Sequence, residues 1–151
     1  MEIAGFLMEK GIDFPKIIDN SFFAKTYGQA KLHGRAVLDS VRILDNRCVY
    51  TVVTTDELRE YGCTVKATDG IVDQLRIIEG VEIAFLLYQT GNPGEYKVSL
   101  RTNSAVDVSR IAQSFGGGGH VKAAGCTMTG EPQEIVEKIS GKIREQWEEL
   151  K

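Results

Sequence analysis

Phe115 leads into four consecutive glycines, Gly116 to Gly119, followed at once by His120 and then Val121-Lys122-Ala123-Ala124-Gly125. Glycine loses more conformational freedom on folding than any other residue and buries no side chain, so a packed domain gains little from four in a row. What the run offers is backbone N–H groups that no Cβ shields, the means by which glycine-rich turns cradle phosphates. His120 adds an imidazole able to donate to phosphate, and Lys122 adds a cation. A second candidate is Leu100-Arg101-Thr102-Asn103-Ser104, where Val98 and Leu100 alternate with Ser99 and Arg101 along a strand that ends in polar residues. Arg101 has a planar fork suited to phosphate oxygens, and Thr102 and Ser104 have hydroxyls. If the fold sets this turn beside Gly116 to His120, the two make a compact anion pocket. Otherwise Arg101 is a solvated strand-end charge paired with Glu95 or Glu82. His33, within a helical pattern, is a surface or packing residue.

Other chemistries lack their residues. Metal-dependent phosphoester hydrolysis needs clustered aspartates and histidines, yet the only histidines are His33 and His120, and no Asp-His-His grouping occurs. No nucleophile turn with a Ser-His-Asp set is present. The glycine run lacks the Gly-Lys-Ser/Thr ending of an ATP-binding loop and the spacing of a dinucleotide fingerprint. By its own residues the chain is a binder without a hydrolytic centre, with neither catalytic nor metal-ligating residues.

The elements that must position these groups follow from periodicity. Short helices are expected over residues 2 to 10 and after Asp13, and a longer one from Ser21 to Leu38. Val41 to Leu44, the pair Asp45-Asn46 and Cys48 to Val53 predict a β-hairpin. Thr55 is placed to cap a short helix over Glu57 to Tyr61, and Thr68 or Asp69 to start one through Ile71, Val72, Leu75 and Ile78. Strands are expected at Val81 to Tyr88, nearly all apolar and so central, at Tyr96 to Arg101, and at Ala124 to Met128. Asp107 precedes a helix over Val108 to Ala112 that the glycines terminate. Pro132 opens the last helix, with Ile135, Ile139, Ile143 and Trp147 as its core stripe and Glu145, Glu148 and Glu149 on a solvated face. The fold class is α/β: a mixed β-sheet domain flanked by helices over residues 39–151, preceded by an N-terminal helical segment over residues 1–38.

Composition narrows the setting. Eighteen basic and 21 acidic residues leave a net charge of −3, so no global positive field holds a long duplex, and a nucleic-acid ligand must be short and locally gripped. The three cysteines, Cys48, Cys63 and Cys126, repeat no ligand spacing and are expected to be reduced core thiols. The opening residues are too few and too acidic for a signal peptide, and no apolar run approaches the roughly 20 residues of a membrane span. A cytoplasmic protein without a membrane partner is the expectation.

The stretch Phe115 to Gly125 resembles the C-terminal DHH-associated domain of the DHH phosphoesterase family. Val98-Ser99-Leu100-Arg101-Thr102, then Val106-Asp107-Val108 and Ile111-Ala112, match that domain in order and spacing, as do Gly70 to Asp73 and Ile78 to Glu82. The resemblance covers nearly the whole chain and is nearest the bacterial oligoribonuclease and phosphoadenosine-phosphate (pAp) phosphatase branch. It implies a two-domain parent, a phosphodiesterase or phosphatase whose N-terminal DHH domain holds manganese and whose C-terminal domain grips substrate. Residues 1–38 then correspond to the last helices of the catalytic domain plus the connecting helix. Carried onto this sequence, Gly117, Gly118, Gly119 and His120 would bind substrate phosphate or the terminal nucleotide. Arg101 would bind a 5′ phosphate, with Thr102 assisting. The family often has serine at Thr102, a basic residue at Asn103, and Lys-Asn at Val121-Lys122. Implied partners are short single-stranded RNA or a nucleotide, the DHH domain, and a second copy as a homodimer. An alternative is a non-catalytic RNA-binding or oligomerisation module, as in the C-terminal domain of alanyl-tRNA synthetases. Because the chain lacks the metal-binding motifs, purified chain supplied with manganese should release no mononucleotide from short RNA in a chromatographic assay. Sustained manganese-dependent release would overturn that expectation.

Overall fold

The computed structural model describes residues 24–151 together with Gly11, Asp13, Pro15 and Lys16. The helix expected over residues 2 to 10 and the start of the one from Ser21 lie outside the described residues, as does most of the helix after Asp13. Asp13 does accept a hydrogen bond from the Lys16 N–H, as a cap would.

Helix α1, Tyr27–Leu38, begins at Thr26, whose side chain accepts from the Gln29 N–H. Strands β1, Val41–Ile43, and β2, Cys48–Val53, form the expected hairpin. Leu44, Asp45 and Asn46 all take positive φ in its turn, a conformation that asparagine and aspartate tolerate best. Helix α2 is Thr55–Glu60 and its cap is Thr54 rather than Thr55. The capping box decides the position: Thr54 accepts from the Glu57 N–H while the Glu57 carboxylate accepts from the Thr54 N–H. A 3-10 turn, Val65–Thr68, leads to helix α3, Ile71–Arg76, which starts from Gly70 at φ +89° and not from Thr68 or Asp69.

Strand β3, Ile83–Gln89, is followed by β4, Glu95–Thr102, helix α4, Val108–Gln113, strands β5, Gly118–His120, and β6, Ala123–Thr129, and helix α5, Pro132–Glu149. The strands make one sheet in the order β1-β2-β3-β4-β6-β5, with β2 and β3 parallel and every other pair antiparallel. The architecture is the expected mixed α/β sheet with flanking helices.

Each face of the sheet carries its own core, because successive side chains point to opposite sides. The first face presents Ile83, Phe85, Leu87, Val98, Leu100 and Cys126, covered by α4 and α5 through Ile111, Ile135, Ile139 and Ile143. Full burial of each such side chain stabilises the fold by about 1.5–3 kcal/mol. Trp147 sits only partly buried at the end of the stripe, with the Arg47 guanidinium 3.8 Å from its ring centre. The second face presents Val49, Val53, Ala84 and Leu86 to α1 and α3 through Leu32, Ala36, Ile71 and Leu75. No residue of β4 or β6 enters that second core. Helices cover the first face across the sheet, whereas on the second face α3 reaches β4, where Asp73 meets Arg101, and β6 is left bare.

Helix α4, which delivers the glycine run, is fixed at its start. The Asp107 carboxylate accepts from the N–H groups of Ser109 and Arg110 and from the Ser109 hydroxyl. The buried Gln146 amide of α5 both accepts from the Asp107 N–H and donates to the Asp107 carbonyl, at 2.9 and 2.8 Å. Arg110 forks onto the Glu149 carboxylate with two hydrogen bonds, so Glu149 is paired rather than merely solvated. The Ser109 hydroxyl, and then the backbone N–H groups, hold the Asp107 carboxyl below its usual range against the opposing effect of desolvation. A carboxyl lowered on folding stabilises the native state above its unfolded value, and that contribution fades as pH falls through its folded value. Asp107→Ala should therefore cost about 1 kcal/mol at neutral pH, a typical capping loss, and the difference should narrow in urea melts below about pH 4. A deficit constant down to pH 2 would contradict the capping account.

Candidate phosphate site

The glycine run is only partly a loop. After Gln113 the chain reverses: the Gly116 N–H donates to the Gln113 carbonyl and the Gly117 N–H to the Ala112 carbonyl, with Gly116 at φ +80°. This is a helix end of the left-handed kind that glycine serves best. Gly118 to His120 then form edge strand β5 against β6. A Cβ on Gly117 would overlap the Gly125 carbonyl oxygen, and one on Gly119 would lie 2.6 Å from the Ala123 carbonyl oxygen. Three of the four glycines thus have a structural reason, contrary to the expectation that a packed domain has little use for them. Gly118 alone combines an ordinary φ with open space at its Cβ position. Since β5 is the sheet edge, one side of its backbone has no strand to pair with.

Register places the side chains. Arg101 of β4 pairs with Ala123 of β6, which pairs with His120 of β5. Residues directly opposite across an antiparallel ladder project from the same face, so Arg101 and His120 stand on the second face, two strands or roughly 10 Å apart, with only the Ala123 methyl between them. His120 is exposed and Arg101 half-buried. The β5–β6 tip is tied to its surroundings by the Thr102 N–H donating to the Lys122 carbonyl and the Val108 N–H donating to the Val121 carbonyl.

Thr102 does not join this group. It alternates with Arg101 and so points to the opposite face, where it is 3% exposed. Its hydroxyl donates to the Glu82 carbonyl, lies 3.0 Å from the Ser104 hydroxyl and accepts from the Ser104 N–H. Asn103 donates from its side chain to the carbonyls of Arg76 and Val81. Lys122 donates to the Ser104 carbonyl at 2.6 Å. These three residues shape the turn that presents Arg101.

The acidic neighbour of Arg101 is neither Glu95 nor Glu82, which are engaged with Thr90 and Asn92 and with Arg47, respectively. Asp73 of α3 lies 3.4 Å from the Arg101 Nε and 3.2 Å from the Arg76 Nε. A half-exposed pair of this kind is worth no more than about 1 kcal/mol, weak enough for a phosphate to displace. Helical spacing marks Asp73 as the polar side of α3, but only the packing of α3 on the sheet brings it to Arg101. Above these residues lies a cavity of 270 Å³ bordered by Gly70, Asp73, Tyr88, Ser99 and Arg101. It shares Tyr88 and Ser99 with a neighbouring hollow of 390 Å³ whose wall is Gly116 and Gly117. The two form one trough across that face.

His33 proves to be a packing residue. It is 3% exposed, its Nε2–H donates to the Ala67 carbonyl, and its Nδ1 accepts from Gln74 and Lys25. Burial lowers its pKa, which keeps the ring neutral. Burial also pushes the thiols of Cys48 and Cys126 up to about 12 and about 11, as expected of core cysteines, whereas Cys63 is only partly buried. Among the described residues no group of three or more His, Cys, Asp or Glu side chains could hold a metal ion, and no helix is long and apolar enough to cross a membrane.

Residues 45–148 match the family described as the DHHA1 domain. Oligoribonuclease NrnB of Bacillus subtilis (strain 168) is 54% identical over 43 residues, 28% of this chain and 11% of its own length. The bifunctional oligoribonuclease and PAP phosphatase NrnA of Thermus thermophilus is 31% identical over 96 residues, 63% of this chain and 29% of its own length. The match therefore spans less than a third of the length of either curated relative. An exopolyphosphatase-related protein from Bacteroides fragilis shares the fold, with a TM-score of 0.85 at 23% identity over 95% of this chain and 42% of its own. A pGpG-specific phosphodiesterase, PggH from Vibrio, gives 0.56 at 18% identity over 77% and 39%.

The glycines separate structural from binding roles. Gly117→Ala should destabilise the fold by about 1–3 kcal/mol, as overpacking does, whereas Gly118→Ala should change stability by less than about 1 kcal/mol. Equal effects of the two substitutions in urea melts would show that β5 does not sit so close to β6.

Proposed function

This chain belongs to the DHHA1 domain family, and on that premise we propose that it is the substrate-gripping part of a phosphoesterase acting on short oligoribonucleotides, dinucleotides or pAp. The observation that carries the reading is the cross-strand row Arg101–Ala123–His120 on the second face, at the edge of its helical cover where α3 meets Arg101. Its width and its two flanking donors suit a phosphate group, with the unshielded edge of β5 alongside. The activities for which the relatives are named, oligoribonuclease and PAP phosphatase, give that phosphate its chemical setting.

In this reading Arg101 exchanges Asp73 for a terminal phosphate and grips it with its fork. His120 donates from the far side, and Gly118 and Gly119 admit the ligand close to the backbone. Thr102 contributes by fixing the turn behind Arg101. Holding one end of the substrate sets the distance at which a reacting phosphodiester is presented, which converts binding into orientation. The cutting belongs to a neighbouring DHH domain, with residues 1–38 as its helical tail and connector and residues 39–151 as the gripping domain. Manganese would supply the nucleophile there. The described donors of this chain do not fit a metal site, since no cluster of three is present.

Loss of a charged hydrogen bond costs about 1.5–3 kcal/mol. Arg101→Ala and His120→Ala should each weaken binding of a 5′-phosphorylated nucleotide by roughly that amount in calorimetric titrations. Unphosphorylated nucleoside should bind neither variant nor wild type measurably. Titrations unchanged in both variants would sink the assignment.

A further inference from the structure

The second-face rows continue beyond Arg101. Ser99 pairs with Gly125, which pairs with Gly118, and Lys97 pairs with Tyr88 on one side and Thr127 on the other. The same alternation that brings out Arg101 therefore lines up Tyr88, Lys97 and Thr127 on that face, Tyr88 partly buried at the margin of the second core and Lys97 and Thr127 exposed. Lys97 lies four residues from Arg101 along β4, roughly 14 Å away. Between the two cations the floor is nearly flat, since Ser99 and Gly125 bring one small side chain and none. The hollow of 390 Å³ occupies this stretch, walled by Gly116 and Gly117.

The polar groups around it make no direct pairing, although the Glu95 carboxylate, two residues along β4 on the same face, feels the charge of Lys97. Glu95 is held by Thr90 and Asn92, and Arg101 by Asp73. Tyr88, Lys97, Ser99 and Thr127 make no side-chain hydrogen bond or ion pair among the described residues. A cation, two hydroxyls and the ring and hydroxyl of a tyrosine thus converge on one hollow that opens into the Arg101 cavity through Tyr88 and Ser99.

We propose that this hollow is a second nucleotide subsite. While Arg101 and His120 hold one phosphate, Lys97 binds a later phosphate of the same single strand and the Tyr88 ring carries a base. Ser99 and Thr127 lie within reach of the sugar between them. Base–aromatic stacking tolerates any sequence because every base has a π face, so the subsite selects for strand length rather than for base identity. This inference rests on the phosphate grip proposed above and extends it from an end-holding site to a short track.

The test is a titration of the whole chain with 5′-AMP, the 5′-phosphorylated trinucleotide pApApA and inorganic tripolyphosphate. Wild type should bind pApApA at least about tenfold more tightly than 5′-AMP, the gain of one charged contact. Lys97→Ala, an exposed position that the fold does not depend on, should erase the gain and leave 5′-AMP affinity within about twofold. Tyr88→Leu should reduce the gain for pApApA alone. If 5′-AMP binds through Arg101 but pApApA is no tighter, or its advantage survives Lys97→Ala, the subsite is wrong and the grip stands. If tripolyphosphate shows the same gain and Tyr88→Leu changes nothing, the ligand is not a nucleotide strand and the proposal fails. If none of the ligands binds, the grip itself fails and the subsite falls with it.

Discussion

The close approach of β5 to β6 is the constraint on which the site depends. Backbone contacts leave no room for a Cβ at Gly117 or Gly119, and this proximity lets a three-residue edge strand join the sheet. Pairing β5 to β6 puts His120 in register with Ala123 and hence with Arg101. Without that ladder His120 would hang from a loop, and the cost of ordering it would fall on ligand binding. The strand supplies the order in advance, during folding.

Everything upstream serves to deliver that strand. Asp107 caps α4 and Gln146 clamps the capping residue to α5, while Ile111, Ile135, Ile139 and Ile143 bind both helices to the first face. The second face is treated unequally: α1 and α3 cover β2 and β3 and stop short of β6. A sheet half-covered in this way joins a rigid floor, stabilised from behind, to an open polar surface in front. Asp73 marks the border, since α3 both completes the second core and sets a carboxylate against Arg101.

Much of this was legible in the sequence where one interaction dominates locally. The isoleucine stripe gave α5, the apolar run gave a central β3, and Val108 to Ala112 ahead of the glycines gave α4. The helix over α2 was legible too, but its cap was displaced by one residue because Thr54 and Thr55 differ only in which of them Glu57 can reach back to. Arg101 and His120 were picked out by their types and neighbours, yet their standing on one face depends on a register across three strands. The place of Thr102 depends on the same register: strand alternation turns it away from Arg101, and its hydroxyl donates to the Glu82 carbonyl. Glycines wanted for a phosphate are also wanted by close strand packing, and composition does not distinguish the two demands. Asp73 carried no local signal at all, since its partner is 28 residues away in the chain.

Amide and arginine side-chain NMR during titration with a 5′-phosphorylated nucleotide tests the central claim most directly. The account predicts that the largest shifts cluster on the Arg101 Nε–H and on the amides of Gly118 to His120, while β1 and the outer face of α5 stay unmoved. Shifts that leave Arg101 and the glycine strand untouched, or that gather on another face of the sheet, would contradict it.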